Sequence, residues 1–280
     1  MQNFGGHESS RGALLASVSG RPLLMAIVNA TPDSFHKSSC GGGLEEGLAH
    51  FAAGADWVDI GGESTRPGAL PISIEEELAR VIPLVEELSK HGPVSIDTRN
   101  HQVARAAIDV GAKMINDVSG LRDPLMFELV LQSGVAVCIM HMLNTPEEMQ
   151  NSPGYDDVCR QVSAELLDTA RRLIAAGHRK ELICLDPGIG FGKDLQHNIE
   201  LLRGFQSLRG EEGFALLWGV SRKSMIGQIC NQDDSEDRLA GSLGVAAFAQ
   251  LKGIDILRVH DIREHVDFAT VFSTLLEVKK

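Results

Sequence analysis

The stretch Gly54-Ala55-Asp56-Trp57-Val58-Asp59 has two counterparts in the chain, Gly111-Ala112-Lys113-Met114-Ile115-Asn116 and Gly253-Ile254-Asp255-Ile256-Leu257-Arg258. In each copy a glycine follows a helical pattern, a short turn comes next, and a buried strand follows. Each copy closes on a polar residue. This weak internal repeat predicts that the fold is built from alternating helices and strands.

Outward from these copies, short β-rich runs alternate with amphipathic stretches along the whole chain. Eight runs are predicted strands: 24–29, 57–61, 94–97, 114–116, 136–141, 182–186, 215–221 and 256–260. Between them, apolar residues at helical spacing predict helices at 44–53, 74–90, 102–110, 158–176 and 238–252. This alternation is typical of parallel strands joined by helical crossovers.

The predicted fold class is α/β, a single (β/α)8 TIM barrel over residues 21–280 with a short N-terminal extension over residues 1–20. No linker rich in Pro and Ser and no charge block divides the chain, which favours one closed barrel over two doubly wound domains. An open sheet of eight strands stays an alternative, because strand order cannot be read from sequence.

The composition excludes several classes of protein. The 280 residues include 43% hydrophobic ones and carry a net charge of −12, so the averaged field repels nucleic acid and anionic lipid. No apolar run approaches the roughly 20 residues of a membrane span. Residues 1–19 lack the basic start of a signal peptide, so we expect a cytoplasmic protein. The five cysteines form no C-x-x-C pair; we expect them to be reduced, with Cys138 and Cys184 packed in the core.

Polar residues accumulate where the predicted strands end. In a barrel the carboxyl ends of all strands converge on one mouth, where the active sites of such enzymes lie. A single aspartate there is commonly a helix cap, but eight strand ends in succession are difficult to explain as caps. The strand-end residues are Asn29, Asp59 with Glu63, Asp97, Asn116 with Asp117, His141, Asp186, Ser221-Arg222-Lys223, and Arg258 with His260 and Asp261.

The mouth combines two kinds of charge. Cations that could hold a phosphate or pyrophosphate follow several strands: Arg66, Arg222, Lys223, Arg258 and His260. Asp97 and Asp186 inside a barrel need partners rich in hydrogen-bond donors, such as the N–H edge of a heterocycle, or a metal. The sequence therefore predicts a ligand with an anionic end and a planar end that bears donors.

Seven motifs, in this order, resemble those of the dihydropteroate synthase family over about residues 23 to 270. They are Asn29-Ala30-Thr31-Pro32-Asp33-Ser34-Phe35, Asp59-Ile60-Gly61-Gly62-Glu63-Ser64-Thr65-Arg66-Pro67-Gly68, Ser95-Ile96-Asp97-Thr98, Ile115-Asn116-Asp117, Asp186-Pro187-Gly188-Ile189-Gly190-Phe191-Gly192-Lys193, Ser221-Arg222-Lys223-Ser224 and Arg258-Val259-His260-Asp261. The resemblance implies a TIM barrel that joins 6-hydroxymethyl-7,8-dihydropterin pyrophosphate to p-aminobenzoate with Mg²⁺, binds no nucleic acid or membrane, forms a possible homodimer, and is a target of sulfonamides that mimic p-aminobenzoate.

Matching positions assign roles by that resemblance. Asp97, Lys223 and Asn29 would take part directly in catalysis, and Asn29 would also reach Mg²⁺. The remaining assignments are sets: Asp97, Asn116, Asp186 and Lys223 for the pterin; Thr65, Arg66, Arg258 and His260 for pyrophosphate; Pro67, Phe191 and Ser224 for p-aminobenzoate. Asn116 can otherwise be a turn residue, Lys223 a solvated cation and Phe191 a core residue.

The chain departs from the family pattern in a few places. His36-Lys37-Ser38-Ser39-Cys40 stands where relatives commonly have Ser-Asp-Gly-Gly, and Ala30 replaces a more usual Val. Leu143-Asn144 follows His141-Met142 where a Gln or Arg followed by Gly is frequent, and Trp218 in the seventh strand is also unusual. We therefore expect closure of the first loop to differ in rate or stability, and the turn after the fifth strand stays uncertain.

Two other functions compete with this interpretation. A folate-dependent corrinoid methyltransferase shares the pterin-holding barrel but does not require the Thr65-Arg66-Pro67-Gly68 and Ser221-Arg222-Lys223-Ser224 loops. A non-catalytic pterin-binding homologue predicts loss of the pyrophosphate or Mg²⁺ groups, yet Asn29, Arg66, Arg258 and His260 are all present. A metal-dependent barrel hydrolase would need an H-x-H pair on the first strand, which Met25–Asn29 lacks.

Overall fold

The computed structural model describes residue 15 and residues 21–30, 42–63, 71–143 and 154–276. In these ranges the strands are β1 (Leu23–Asn29), β2 (Trp57–Gly61), β3 (Val94–Asp97), β4 (Met114–Asp117), β5 (Ala136–Met140), β6 (Ile183–Asp186), β7 (Ala215–Trp218) and β8 (Ile256–Val259). Each strand pairs in parallel with the next, and β8 pairs with β1, which closes the barrel. Closure confirms the predicted TIM barrel and excludes the open sheet.

The described helices form a ring around the barrel. They are α1 (Gly42–Ala52), α2 (Ile74–Leu88), α3 (His101–Asp109), α4 (Pro124–Ser133), α5 (Val158–Ala175), α6 (Leu195–Arg203), α7 (Ser224–Cys230), α8 (Leu239–Leu251) and α9 (Ile262–Leu276). Short 3-10 turns lie at Lys180–Leu182, Phe205–Arg209 and Ser235–Arg238. Aspartate or serine caps begin several helices, for example Asp157 before α5 and Asp194 before α6.

The repeated segment behaves as its sequence predicts. Gly54, Gly111 and Gly253 all have positive φ, at 101°, 123° and 68°, a conformation that glycine adopts without steric cost. In the first and third copies the aspartate before the strand also accepts a backbone N–H of the neighbouring strand: Asp56 from Leu24 at 2.8 Å and Asp255 from Leu216 at 2.9 Å. An arginine binds each of these two aspartates, Arg21 and Arg209 respectively. The repeat is thus a unit that joins adjacent strands at the lower end of the barrel.

The structure corrects several predicted boundaries. Strands β5, β7 and β8 end before His141, Gly219 and His260, so these residues start the loops at the mouth. Leu182 belongs to a 3-10 turn and not to β6. Helices α4, α6, α7 and α9 correspond to no range that the helical spacing predicted.

Two apolar regions stabilise the barrel. The larger lies between the strands and the helices and includes Trp218, whose ring contacts Phe205 edge-on and stacks on Phe248, both at 6.2 Å between centroids. The smaller fills the lower part of the barrel interior and contains Cys138 and Cys184, as predicted. Leu15, in the predicted N-terminal extension, also packs in this lower cluster and is 2% exposed. Over the described ranges, no helix combines the length and the apolar character that a membrane crossing needs.

Candidate functional site

The inward-facing residues form two layers of opposite character. Side chains on one face of a strand recur every second residue, so an inward residue is followed by another two positions later. The lower layer is apolar and includes Trp57, Met114, Cys184 and Ile256. Two residues further along the same strands stand the polar residues Asp59, Asn116, Asp186 and Arg258, and Asp97 ends the strand between β2 and β4.

Arg258 joins the polar layer across the barrel. Its Nε donates to Asp59 Oδ2 at 2.6 Å, and one of its terminal nitrogens donates to Asp97 Oδ2 at 2.7 Å. Asn116 Nδ2 also donates to Asp59 Oδ2, at 3.0 Å. One guanidinium therefore holds two carboxylates that come from different strands, with Asp59 completely buried.

Asp97 is an unusual carboxylate. Burial raises its pKa to about 7, an effect that nearby Arg258 opposes and nearby Asp59 reinforces. Its Oδ1 is buried and has no hydrogen-bond partner among the described residues, and the same holds for Asp59 Oδ1. A buried acceptor without a donor costs free energy, so these oxygens are suited to a ligand that brings N–H groups.

Asp186 and Lys223 form the other side of the polar layer. Asp186 Oδ1 accepts the N–H of Gly188 at 2.8 Å, and burial raises the pKa of this carboxyl while Lys223 lowers it. Burial also lowers the pKa of Lys223 to about 8. A side chain at Gly219 would begin 3.8 Å from Asp186 Oδ2 and 4.0 Å from Arg258, so glycine leaves this space open. The space suits a flat group between the carboxylate and the guanidinium.

Phe191 supplies an aromatic wall above this layer. It packs against Val118, Met140 and Met142, and the Lys223 ammonium lies 4.5 Å from its ring centroid. The same ammonium donates to the Ile189 carbonyl in the loop that carries Phe191. Ser224 is exposed as the first residue of α7, directly after Lys223.

The loops after β7 and β8 are bound to each other. His260 Nδ1 lies 3.1 Å from Ser221 Oγ, and Arg222 forms a bidentate pair with Asp261. Arg222 also pairs with Glu236, and the hydrogen bonds that it donates to both acids raise its pKa. The sequence offers Arg222 as one of five cations that could hold a phosphate; in this structure its guanidinium lies against the carboxylates of Asp261 and Glu236.

The structure brings together most of the residues that the sequence singled out. Asp97, Asn116, Asp186, Lys223 and Arg258 share one layer, with Phe191 above it. Asn29 ends β1 with its side chain exposed and pairs in register with Gly61. The predicted residues Thr65, Arg66 and Pro67, and the unusual segment 36–40, lie outside the described residues.

Two residues of this region had no role in the sequence analysis. Asp59 appeared there only as one of many strand-end polar residues, although its position two residues after the inward-facing Trp57 is a usable signal. Lys193 was quoted only within a motif, yet it is 8% exposed and contacts acceptors on two loops. Nothing in local sequence distinguishes Lys193 from a solvated lysine.

The described residues can hold Mg²⁺ only together with oxygens from a bound phosphate and water. They contain no group of three or more His, Cys, Asp or Glu side chains that could hold a metal by themselves. The exposed amide of Asn29 at the mouth is a hard oxygen ligand, which suits an ion that takes its other oxygens from a bound phosphate and water.

Comparison with known proteins defines the class of enzyme. Residues 25–260 match the family described as pterin binding enzyme, so the chain belongs to that class of TIM-barrel enzymes. The chain is 43% identical to dihydropteroate synthase of Escherichia coli (strain K12) over 265 residues, which cover 92% of this chain and 93% of that protein. The chain therefore belongs to the dihydropteroate synthase family.

Solved structures agree with this assignment. Dihydropteroate synthase of Xanthomonas albilineans with 4-aminobenzoic acid superposes with a TM-score of 0.86 at 41% identity, covering 92% of this chain and 94% of that one. The Burkholderia cenocepacia enzyme complexed with 7,8-dihydropteroate gives a TM-score of 0.84 at 42% identity, covering 91% and 92%.

Proposed function

We propose that this protein is a transferase of folate biosynthesis that condenses 6-hydroxymethyl-7,8-dihydropterin pyrophosphate with p-aminobenzoate. The products are 7,8-dihydropteroate and pyrophosphate. The observation that carries the proposal is the polar layer of the barrel, where buried acceptors of Asp97 and Asp186 lie beside the cations Lys223 and Arg258. This arrangement matches a planar heterocycle that carries donors on one edge and acceptors on another.

The pterin ring would lie between Asp186 and Arg258, in the space that Gly219 leaves open. The 2-amino and N3–H groups form a paired donor edge, which the Asp186 carboxylate can accept. Asn116 can donate and accept, and Asp97 Oδ1 supplies a further acceptor. Lys223 would donate to the O4 and N5 side of the ring.

The pyrophosphate would lie at the mouth, near the ends of β1, β2 and β8. By family position, Thr65, Arg66, Arg258 and His260 would bind it. His260 follows β8 at the mouth and contacts Ser221, whereas Arg258 lies deeper in the barrel and binds Asp59 and Asp97. Asn29 would hold Mg²⁺ together with phosphate oxygens, and the ion when bound neutralises charge on the departing pyrophosphate.

p-Aminobenzoate would bind above the pterin, against Phe191. The ring of Phe191 supplies an apolar wall. By family position, Pro67 would also pack against the ring of p-aminobenzoate and Ser224 would bind the carboxylate. This position brings the amine to the methylene carbon of the pterin from the side opposite the apolar lower layer.

The amine of p-aminobenzoate is a weak nucleophile, so the reaction depends on departure of the leaving group. The C–O bond to pyrophosphate breaks, positive charge develops at the methylene and spreads into the dihydropterin ring, and the amine nitrogen forms the new C–N bond and loses a proton. Ionised Asp97 stabilises that positive charge. Neither Ser221 nor Ser224 is needed as a nucleophile.

An assay of the purified protein tests this function. Pyrophosphate release should require both substrates, and 7,8-dihydropteroate should form in equal amount. Pterin binding without release would identify a non-catalytic homologue, and methyl transfer from a folate to a corrinoid would identify the methyltransferase; either result would overturn the proposal.

Two further properties belong to the proposal. A cytoplasmic location is supported by Cys138, Cys159, Cys184 and Cys230, which are all free thiols. A homodimer is supported by the family resemblance, and light scattering of the purified protein tests it.

A further inference from the structure

Lys193 is a buried lysine that makes no contact with the proposed substrate positions. Its ammonium donates to the carbonyls of Phe191 at 3.0 Å and Gly188 at 3.1 Å. It also lies 3.1 Å from His141 Nδ1 and 3.4 Å from the His141 carbonyl. Its three protons therefore serve acceptors on two segments, the loop after β6 and the end of β5.

The loop after β6 is pressed closely against the end of β5. Gly188 has φ of +66°, and a Cβ there would lie 1.9 Å from the His141 carbonyl oxygen. Asn198 of α6 accepts the N–H of Gly190 at 2.8 Å, and Lys223 binds the Ile189 carbonyl from the other side. The backbone of residues 188–191 is thus fixed by two lysines and one asparagine.

The histidine partner is a neutral acceptor. His141 is 3% exposed, and burial together with Lys193 and Arg122 lowers its pKa to about 3. Its Nδ1 can then accept from Lys193, which leaves the proton on Nε2, 3.5 Å from Glu165 Oε2. Tyr155 lies behind this ring at 6.2 Å between centroids. Glu165 therefore acts on the Lys193 charge across the neutral imidazole, without direct contact.

We infer that Lys193 is a positioning residue that holds the Gly188–Phe191 turn against His141, so that the Phe191 ring stands at the correct height for p-aminobenzoate. This inference rests on the proposed function and assigns to it a residue that does not touch either substrate. Asp186 belongs to strand β6 and Phe191 to the loop that Lys193 binds. The position of Asp186 therefore depends less on the Lys193 hydrogen bonds than the position of Phe191 does.

The hydrogen bonds of the Lys193 ammonium should weaken as pH rises. Burial lowers the pKa of Lys193 to about 7, and Lys223 lowers it as well, while Asp186 and Glu165 raise it. These groups and His141 lie around the ammonium, on the loop after β5, on β6, on α5 and on the loop after β7. As pH rises through this range the ammonium loses its charge, its hydrogen bonds to the carbonyls weaken, and the KM for p-aminobenzoate should rise.

Lys193→Met tests the positioning role with steady-state kinetics. We expect the KM for p-aminobenzoate to rise about tenfold, while the KM for the pterin substrate and kcat change by less than about threefold. Lys180→Met is the matched control, because Lys180 donates to the Glu212 carbonyl on the exposed surface far from the mouth. An unchanged KM for p-aminobenzoate, or equal losses for both substrates, would overturn the inference.

A second variant keeps the test valid if Lys193→Met does not fold. Glu165→Gln removes an exposed anion that favours charged Lys193, so the alkaline rise in KM should move to lower pH, by on the order of 0.3 unit. Asp168→Asn, an equally exposed change on the same helix, should leave the profile in place. An unmoved profile in Glu165→Gln would overturn the inference alone, whereas a wild-type protein that releases no pyrophosphate would overturn the proposed function and this inference with it.

Discussion

The two layers of the barrel interior differ although the same strands build both. In the lower layer, Met114 and Cys184 pack among apolar side chains, with no charged residue in the cluster, and are completely buried. Two residues further on, Asn116 and Asp186 are almost as buried but stand among charges. Since backbone, strand and burial are nearly the same, we interpret the difference as a division of roles, in which the lower layer stabilises the fold and the upper layer binds the ligand.

The largest effect on activity is expected for Asp186→Asn. An amide at this position presents donors to the donor edge of the pterin, so kcat/KM for the pterin substrate should fall about 10²- to 10³-fold. Asp194→Asn is the control, because asparagine caps a helix as well as aspartate does and Asp194 caps α6. Steady-state kinetics on both variants measures the difference; a threefold effect or less in Asp186→Asn would separate this carboxylate from pterin recognition.

Met114→Ala should have the opposite pattern. Removing a completely buried side chain from the lower layer should lower the free energy of unfolding by about 2–5 kcal/mol. The kcat of the folded variant should stay within about twofold of wild type, because no atom of this side chain reaches the ligand. Urea unfolding and kinetics at the same temperature measure both quantities. A large loss of kcat without loss of stability would mean that the layers are not separate in function.

A smaller effect is expected for binding of p-aminobenzoate. Among the described residues only Phe191 and Ser224 belong to the proposed pocket, and Pro67 directly follows the expected phosphate ligands Thr65 and Arg66 in the sequence. We expect bound pyrophosphate and Mg²⁺ to hold Thr65 and Arg66, and Pro67 with them, so p-aminobenzoate should bind about tenfold more tightly when they are present. Calorimetric titration with and without them is the measurement, and equal affinity would indicate a preformed pocket.

The smallest effect is a displacement of the pH profile. Burial raises the pKa of Asp97 to about 7, and the proposed role requires its ionised form, so we expect kcat to fall as pH decreases through this value. Arg258 lowers this pKa, and Arg258→Gln should therefore move the acid limb to higher pH. A kcat profile from pH 5.5 to 9 measures the limb in both proteins. A limb that stays in place would show that Arg258 does not control the charge of Asp97.

Much of the fold could be predicted from local sequence, and the reason lies in the repeat. Gly54, Gly111 and Gly253 adopt positive φ, and each is followed by a strand with a polar residue near its end, which supports the count of eight units made from the β-rich runs. Helix α4 was not predicted because it begins at Pro124 and carries apolar residues on more than one side, so its sequence lacks a clear helical period.

The sequence predicts which residues form the site but not which of them bind each other. Arg258 lies 199 positions from Asp59 along the chain, and only closure of β8 onto β1 brings them together. Arg222 and Arg258 look alike as strand-end cations, yet one binds Asp261 and Glu236 and the other binds the buried layer. Lys193 could not be identified because three of its four acceptors are backbone carbonyls, which have no sequence signature.

The charged side chains of the upper layer should serve the reaction and should not stabilise the fold. The variant Asp97→Asn tests this expectation directly. The pKa of Asp97 is raised from 3.8 to about 7 in the folded protein, so the stability that its protonated form contributes is fully present below pH 3.8, is lost as pH rises from there to about 7, and stays lost above. At pH 8 the variant should lose about 10²-fold or more in kcat, with little change in the KM for the pterin. Its free energy of unfolding should equal or exceed that of wild type. An unchanged kcat, or a loss of stability as large as that of Met114→Ala, would contradict the account.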